Sequence, residues 1–255
     1  ENSPLPPLAP VPSALAVLEQ RLLRTINGDD SMNDTITLDP INKACFREKL
    51  VVFSPVPEML VSALKRCARD LGVSADILML TAISVALAYT EGTGNVTAVL
   101  VVPQRDGPAE GELVGLFADF RVLAVACGGL SVAGVALQLH RTVQERLWRT
   151  PGLSTQFDSP FVNFQWTDLE AHHGLRQVND LNSWSERLRT PMGIAVEQPN
   201  VQSWRLRVAF DKRRYDVEAR ERFFQGLIMA LEAFLTDPLA PAWPPTDAAS
   251  SGRHA

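Results

Sequence analysis

The sequence predicts an α/β fold, a two-layer sandwich in which a mixed sheet carries packed helices. Three observations lead there. Helix-period and strand-period segments intermix along the chain instead of being segregated. One segment, Val96 to Val102, is short, almost wholly apolar and rich in valine, which suits a strand covered on both faces. Another, Ala75 to Tyr89, is apolar nearly all round, which suits a helix buried inside the molecule.

The elements follow in order. Residues 1–12 hold five prolines among small residues and read as a linker or extended arm, because proline has no N–H donor and disfavours helix. Ser13 is placed to cap a helix to about Ile26, with Leu15, Leu18, Leu22 and Ile26 on one stripe. The polar run Asn27 to Asp34 breaks it. Phe46 to Phe53 reads as a strand, and Ser54-Pro-Val-Pro-Glu58 as a helix start. Leu60, Ala63, Leu64, Cys67, Ala68 and Leu71 then recur at helical spacing, and Gly72 stops the helix. Ser74 caps the next helix, with Asp76 in its first turn, and Thr90-Glu-Gly-Thr-Gly94 ends it.

After the strand Val96 to Val102 comes the polar loop Pro103-Gln-Arg-Asp-Gly-Pro108, then a strand from Phe117 to Ala126. Ser131 caps a helix to about Trp148, with Val132, Val135, Leu139, Val143 and Leu147 on one side. Residues 149–158 read as loop, Phe161 to Trp166 as a strand, and 167–190 as loop with small elements. Gly193 to Val196 and Trp204 to Phe210 read as paired strands across Glu197-Gln-Pro-Asn-Val201. In the second, Leu206, Val208 and Phe210 alternate with Arg205, Arg207 and Ala209, which predicts one buried and one wet face. Asp216 begins a last helix to about Thr236, and Asp237-Pro238 ends it. The domain boundaries expected are a linker and N-terminal helix over 1–45, one folded unit over 46–238, and a flexible tail over 239–255.

Composition narrows the function. At 255 residues with 46% hydrophobic and 21% charged side chains, the chain can bury a real core. A net charge of −5 and the lack of a clustered basic stripe argue against nucleic-acid binding. Cys45, Cys67 and Cys127 are odd in number and far apart, so neither a disulfide framework nor a zinc site is expected, and a reducing compartment fits. Cys67 reads as an inert, buried small hydrophobe. No apolar run reaches the ~18 residues of a membrane span. The N-terminus shows no secretory pattern, so a cytoplasmic home is expected.

Five segments in order resemble the C-terminal lobe of a nonribosomal peptide synthetase condensation domain, which has the chloramphenicol-acetyltransferase-like fold. They cover roughly 46–238. The first is Leu64-Lys-Arg-Cys-Ala-Arg-Asp-Leu-Gly-Val-Ser74, followed by the buried helix Ala82 to Gly92. The next has two parts, Val101-Val-Pro-Gln-Arg105 and Val114-Gly-Leu-Phe-Ala-Asp-Phe-Arg-Val-Leu-Ala-Val125. Ser159-Pro-Phe-Val-Asn-Phe-Gln-Trp166 resembles a later family strand. The last segment runs from Pro191-Met-Gly-Ile-Ala-Val-Glu197 to Asp237-Pro238. In this sequence Asp119-Phe120 stands where the family has Asn-Thr, Ala124 replaces its arginine, and Arg121 appears earlier. Asn163-Phe-Gln165 and Gly-Leu-Phe-Ala depart from the heterocyclizing relatives.

The resemblance implies a function. The lobe would form one wall of a tunnel in which a carrier-tethered acyl or peptidyl donor meets an amino-acid acceptor. Asp119, Arg121, Asn163 and Gln165 would line it. No cofactor would be held directly; the phosphopantetheine arm of a peptidyl or acyl carrier protein would enter. Partners would be carrier proteins and the N-terminal lobe, with no nucleic acid and no membrane. The chain would be part of a peptide-bond-forming acyltransferase and inactive alone. Two other readings stay open: a non-catalytic carrier-docking scaffold, and a degenerate stand-alone acyltransferase of the same fold.

The family's His-His-x-x-x-Asp-Gly motif belongs to the other lobe and is not found here. The pair His172-His173 has Gln177 and Val178 where Asp and Gly should stand, so these histidines read as loop residues. His140 reads as a helix residue packed beside Leu139, and His254 lies in the tail. No serine-nucleophile elbow, phosphate loop or metal spacing occurs. Asp168 and Glu170 read as a solvated pair. Lys212-Arg-Arg214 reads as a solvated turn, with contact to an acidic carrier protein as the sharper alternative.

Overall fold

The computed structural model describes residues 11–26, 49–103, 118–145, 159–166, 190–198 and 203–243. The elements are α1 (Val11–Ile26), β1 (Lys49–Val56), α2 (Glu58–Leu71), α3 (Ala75–Glu91), β2 (Asn95–Pro103), β3 (Ala118–Ala126), α4 (Val132–Gln144), β4 (Phe161–Trp166), β5 (Met192–Gln198), β6 (Trp204–Asp211) and α5 (Val217–Thr236). The strands form one sheet of six, in the order β1-β6-β5-β4-β2-β3. The central neighbours β5-β4-β2 run parallel, while β1-β6, β6-β5 and β2-β3 are antiparallel. The fold is therefore α/β with a mixed sheet, as the intermixed pattern predicts.

Register shows which face carries the helices. Val52, Val208, Ile194, Val162 and Leu100 lie in one row across β1, β6, β5, β4 and β2. All five belong to a single core to which every described helix contributes. The buried residues Val99, Phe161, Ala195 and Ala209 lie in the opposite phase, outside that core. The described helices thus make one layer against one face of the sheet.

Helix α3 is the centre of that layer. Thirteen of its residues are buried, from Ile77 to Thr90. Its buried hydroxyls need acceptors, and each finds one a turn back. Thr81, Ser84 and Thr90 donate to the carbonyls of Ile77, Leu80 and Ala86 at 2.7, 2.8 and 2.7 Å. Ser74 accepts from the Ile77 amide at its start, and Gly92 closes it with φ 65°, a left-handed conformation that glycine adopts without strain. Against it lies α5. A Cβ on Gly226 would sit 3.0 Å from Ala86 Cα and 3.0 Å from Tyr89 Cβ, so the two helices touch backbone to backbone there. On its other side α5 sets Phe223 and Phe224 edge-on against Phe210 of β6, with centroids 5.6 and 5.8 Å away.

Several local expectations give way to tertiary context. Helix α1 begins at Val11, and Ser13 lies inside its first turn instead of capping it. Pro12 permits this, because first-turn amides have no intrahelical acceptor. The run Ser54 to Val56 continues β1 instead of starting a helix, and Pro57 stands at the N-cap of α2. Pro55 is tolerated because β1 is an edge strand. Strand β6 has no wet face: Arg207 is 2% exposed and Ala209 is fully buried. It lies inside the sheet, between β1 and β5. Glu197 and Gln198 belong to β5, not to the turn.

Beyond α5, the segment up to Trp243 is pinned. The amides of Val132 and Ala133 donate to the carbonyls of Ala240 and Pro238, both at 2.9 Å, and satisfy the first turn of α4. Trp243 packs edge-on against Tyr89 at 5.1 Å.

Gly226→Ala tests the α3–α5 crossing. Alanine favours helix by about 1 kcal/mol in isolation. Overpacking costs about 1–3 kcal/mol. A net loss of up to about 2 kcal/mol is expected, read as a lower urea midpoint at unchanged slope.

Candidate functional site

Strands β2, β4 and β5 are parallel, so their carboxyl ends, Pro103, Trp166 and Gln198, share one edge of the sheet. β1 ends there at Val56, and β3 and β6 begin there. Open α/β sheets bind ligands outside the carboxyl ends of their strands. All four residues implied as tunnel lining fall within three positions of a strand end at this edge.

They do not fall on one face. Arg121 pairs with Leu100, and Asp119 with Val102, in the phase of the helical core. Asn163 pairs with Ala195, and Gln165 with Glu197, in the opposite phase. β2 lies between β3 and β4, which puts the two pairs about 10 Å apart across the sheet. Arg121 is half-buried and Asn163 is 9% exposed. Asp119 and Gln165 enter only as strand positions. Beside Asn163 on its face, Phe161 meets Phe120 from across β2, with ring centroids 5.6 Å apart.

The face that carries Asn163 also carries charge that the sequence reading left out. One row runs Phe53, Arg207, Ala195, Asn163, and the next runs Pro55, Arg205, Glu197, Gln165. Arg207 Nη2 lies 3.2 Å from Glu197 Oε1, with the arginine side chain 2% and the glutamate 13% exposed. Burial of a guanidinium requires such a partner. Arg205 stacks over Phe53 at 5.9 Å. The signal in the sequence was the arginine within an alternating strand; reading that face as wet hid it.

On the helix side of the same edge, Gln198 Nε2 donates to Asp76 Oδ1 at 2.9 Å and ties α3 to β5. Burial raises the Asp76 carboxyl to about 6, against the lowering pull of Gln198 and Lys65. Trp204 is 1% exposed, and its indole Nε1 has no hydrogen-bond partner.

The remaining candidates disperse. His140 is half-buried on α4, while His172, His173, His254, Asp168, Glu170 and Cys45 lie outside the described residues. Cys67 is half-buried against the core, and burial, then Asp70, raises its thiol. Cys127 is buried and pushed up to about 11 by desolvation. Both thiols therefore hold their protons more tightly than a free cysteine does. Lys212, Arg213 and Arg214 are exposed in the turn after β6, at the opposite edge, where Tyr215 donates to Glu91 at 3.1 Å. Among the described residues no group of three His, Cys, Asp or Glu side chains is placed to hold a metal. No single described helix is long and apolar enough to cross a membrane. The exposed large apolar side chains, Val17, Phe53, Leu137, Val217 and Leu239, lie on separate elements.

Glu197→Ala should lower stability by about 2–4 kcal/mol, because it removes the partner of a buried cation. Glu218→Ala, which breaks the exposed pair with Arg222, should change little. Equal urea midpoints for the two variants would contradict the weight given to the buried pair.

No family model matches the sequence, and no curated protein does. Solved structures share the fold. The condensation domain of the monacolin K polyketide synthase MokA has a TM-score of 0.62 at 15% identity, over 91% of this chain and 61% of that one. The condensation domain that mediates chain release from the enacyloxin polyketide synthase gives 0.59 at 17%, over 78% and 43%. The first condensation domain of the CDA synthetase gives 0.57 at 15%, over 94% and 57%. This chain has the chloramphenicol-acetyltransferase-like fold of condensation domains, and it spans about half the length of the solved chains it matches.

Proposed function

We propose that this chain is the C-terminal lobe of a condensation-type domain of a nonribosomal peptide synthetase. One observation carries the reading: the likeness to the CDA synthetase domain extends over 94% of this chain but only 57% of that one. A lobe of a two-lobed fold would be matched in this way, nearly whole against about half of its relative. The order of the five sequence segments supports the C-terminal half.

In this role the lobe supplies a wall and not the proton-handling group, which belongs to the His-His-x-x-x-Asp-Gly motif of the N-terminal lobe. Carrier proteins bring donor and acceptor on phosphopantetheine arms, in the cytoplasm. Tethering makes their encounter effectively intramolecular, which is the main source of rate. Asn163 and Gln165 line the tunnel from one face of the sheet, and Asp119 and Arg121 from the other, with the arms passing the carboxyl edge between them. Amide and guanidinium groups there hold the thioester and amide oxygens of the arms in register.

The test is reconstitution. The purified chain is mixed with an N-terminal lobe carrying the motif and with loaded donor and acceptor carriers, and the joined product is followed by mass spectrometry. Product is expected from the mixture and none from either lobe alone. Asn163→Ala and Arg121→Ala should each slow it by roughly 10- to 100-fold, the cost of misplacing a tethered reactant. Their thermal midpoints should stay near wild type. Turnover by this chain alone, lost on changing His172 or His173, would replace the reading with a stand-alone acyltransferase. Carrier binding without product under any pairing would replace it with a docking lobe.

A further inference from the structure

Helix α4 is completed by a distant part of the chain. Its first three amides, at Val132, Ala133 and Gly134, have no acceptor within the helix. The Ser131 hydroxyl accepts from Gly134 at 3.1 Å. The other two amides are met by the chain beyond α5, at the carbonyls of Ala240 and Pro238. Val132 and Ala133 are buried, and a buried donor without an acceptor is costly. In return Ala242 donates to the Leu130 carbonyl at 2.9 Å, and Ser131 and Pro241 form an antiparallel bridge. The strap then ends over a corner of the fold. Ala242 is fully buried there, and Trp243 packs edge-on against Tyr89 of α3. Its ring lies 3.4 Å from where a Cβ on Gly94 would be. The Gly94 carbonyl accepts from Cys127 and Gly128, in the turn after β3, at 2.7 and 2.9 Å. Tyr89 is itself held, because its hydroxyl donates to Met229 Sδ of α5 at 3.0 Å.

We infer that Pro238–Trp243 is a latch on the start of α4: a strap that opens and closes as one unit with that first turn while the core stays folded, secured by Trp243. Three observations set the strap apart from the core. Its grip is narrow. Of its residues only Ala242 is buried, while Pro241 is exposed and Leu239 is 77% exposed. Helix α3, by contrast, has thirteen buried residues. Segments that bury little apolar surface open before the whole molecule does. Its bonds are also shared. Val132, Ala133 and Ala242 all lose their acceptors when the strap lifts, so the three amides open together. Finally, the strap is shaped to return. Pro238 and Pro241 limit the conformations of the lifted segment. Asp237 accepts from Leu239 through its carboxylate at 3.1 Å and from Ala240 through its carbonyl at 2.9 Å. The turn after α5 thus keeps its form without help from α4. Trp243 is the one aromatic side chain of the strap and stands at its far end, so its ring decides whether that end stays down.

Amide hydrogen exchange on the full chain, read residue by residue by NMR where closing outruns exchange, tests the latch. In the wild type the amides of Val132, Ala133 and Ala242 should share one opening constant. It should lie at least roughly 10-fold above those of Ile83 to Leu87 in α3. Trp243→Ala should raise the shared constant by roughly 10-fold, the loss of an edge-on ring contact and its burial, and leave the α3 amides unchanged. Trp243→Phe keeps a ring against Tyr89 and should stay within about 3-fold of wild type. Leu239→Ala alters an exposed side chain and should change nothing. Three amides that exchange no faster than α3, or with unrelated opening constants, would overturn the latch. So would a Trp243→Ala variant that leaves them unchanged, or one in which α3 speeds up as much as α4. The latch uses no residue of the candidate site and needs no second lobe or carrier, so it stands or falls apart from the tunnel reading.

Discussion

Helix α3 can exist only if it is surrounded, because it offers water almost no polar surface. That constraint organises the rest of the molecule. The helix is flanked by α5 and lies between the sheet and its neighbours, and its hydroxyls turn inward onto its own carbonyls. Gly226 lets α5 come against the Ala86 backbone and the Tyr89 side chain of α3, with no room for a Cβ of its own. Each apolar side chain buried there contributes about 1.5–3 kcal/mol relative to exposure. Phe223 and Phe224 on the far side of α5 then join this pair to β6, and through it to the whole sheet.

The sheet has two different faces for two different reasons. One is a continuous apolar surface against the helices. The other holds small residues, Gly193, Ala195 and Ala209, beside the Arg207–Glu197 pair and Asn163. A buried ion pair stabilises little compared with apolar filling, since desolvation offsets most of the attraction. It does fix register, because a slip by one residue would carry Arg207 into the helical core. The polar face thus restricts the strand pairing that the apolar face would accept in more than one way.

At the carboxyl edge the two faces meet. The parallel strands β2, β4 and β5 end together there, and the first turn of α3 is tied to β5 at the same corner. The positions the family resemblance pointed to lie near that edge but on both sides of the sheet.

The amino-acid sequence by itself determined the elements that depend on near neighbours. Hydrophobic periodicity gave α2, α4 and α5, all-round apolarity gave α3, and side-chain caps at Ser74, Ser131 and Asp216 and glycines at 72 and 92 marked helix ends. β4 was legible to the residue, because a short apolar run bounded by polar segments has few alternatives. Tertiary structure decided what involves distant partners. Pro55 reads as a helix start until an edge strand has room for it. Arg207 reads as solvated until the fold buries it beside Glu197. Asp76 reads as an ordinary first-turn acid, and Gln198 as a turn residue, until the fold joins them. Of the candidate site, residue types and strand positions were legible, but not their division between faces. The reason is physical: alternation along a strand states that successive residues point opposite ways, and only pairing with the neighbouring strands settles which way is inward.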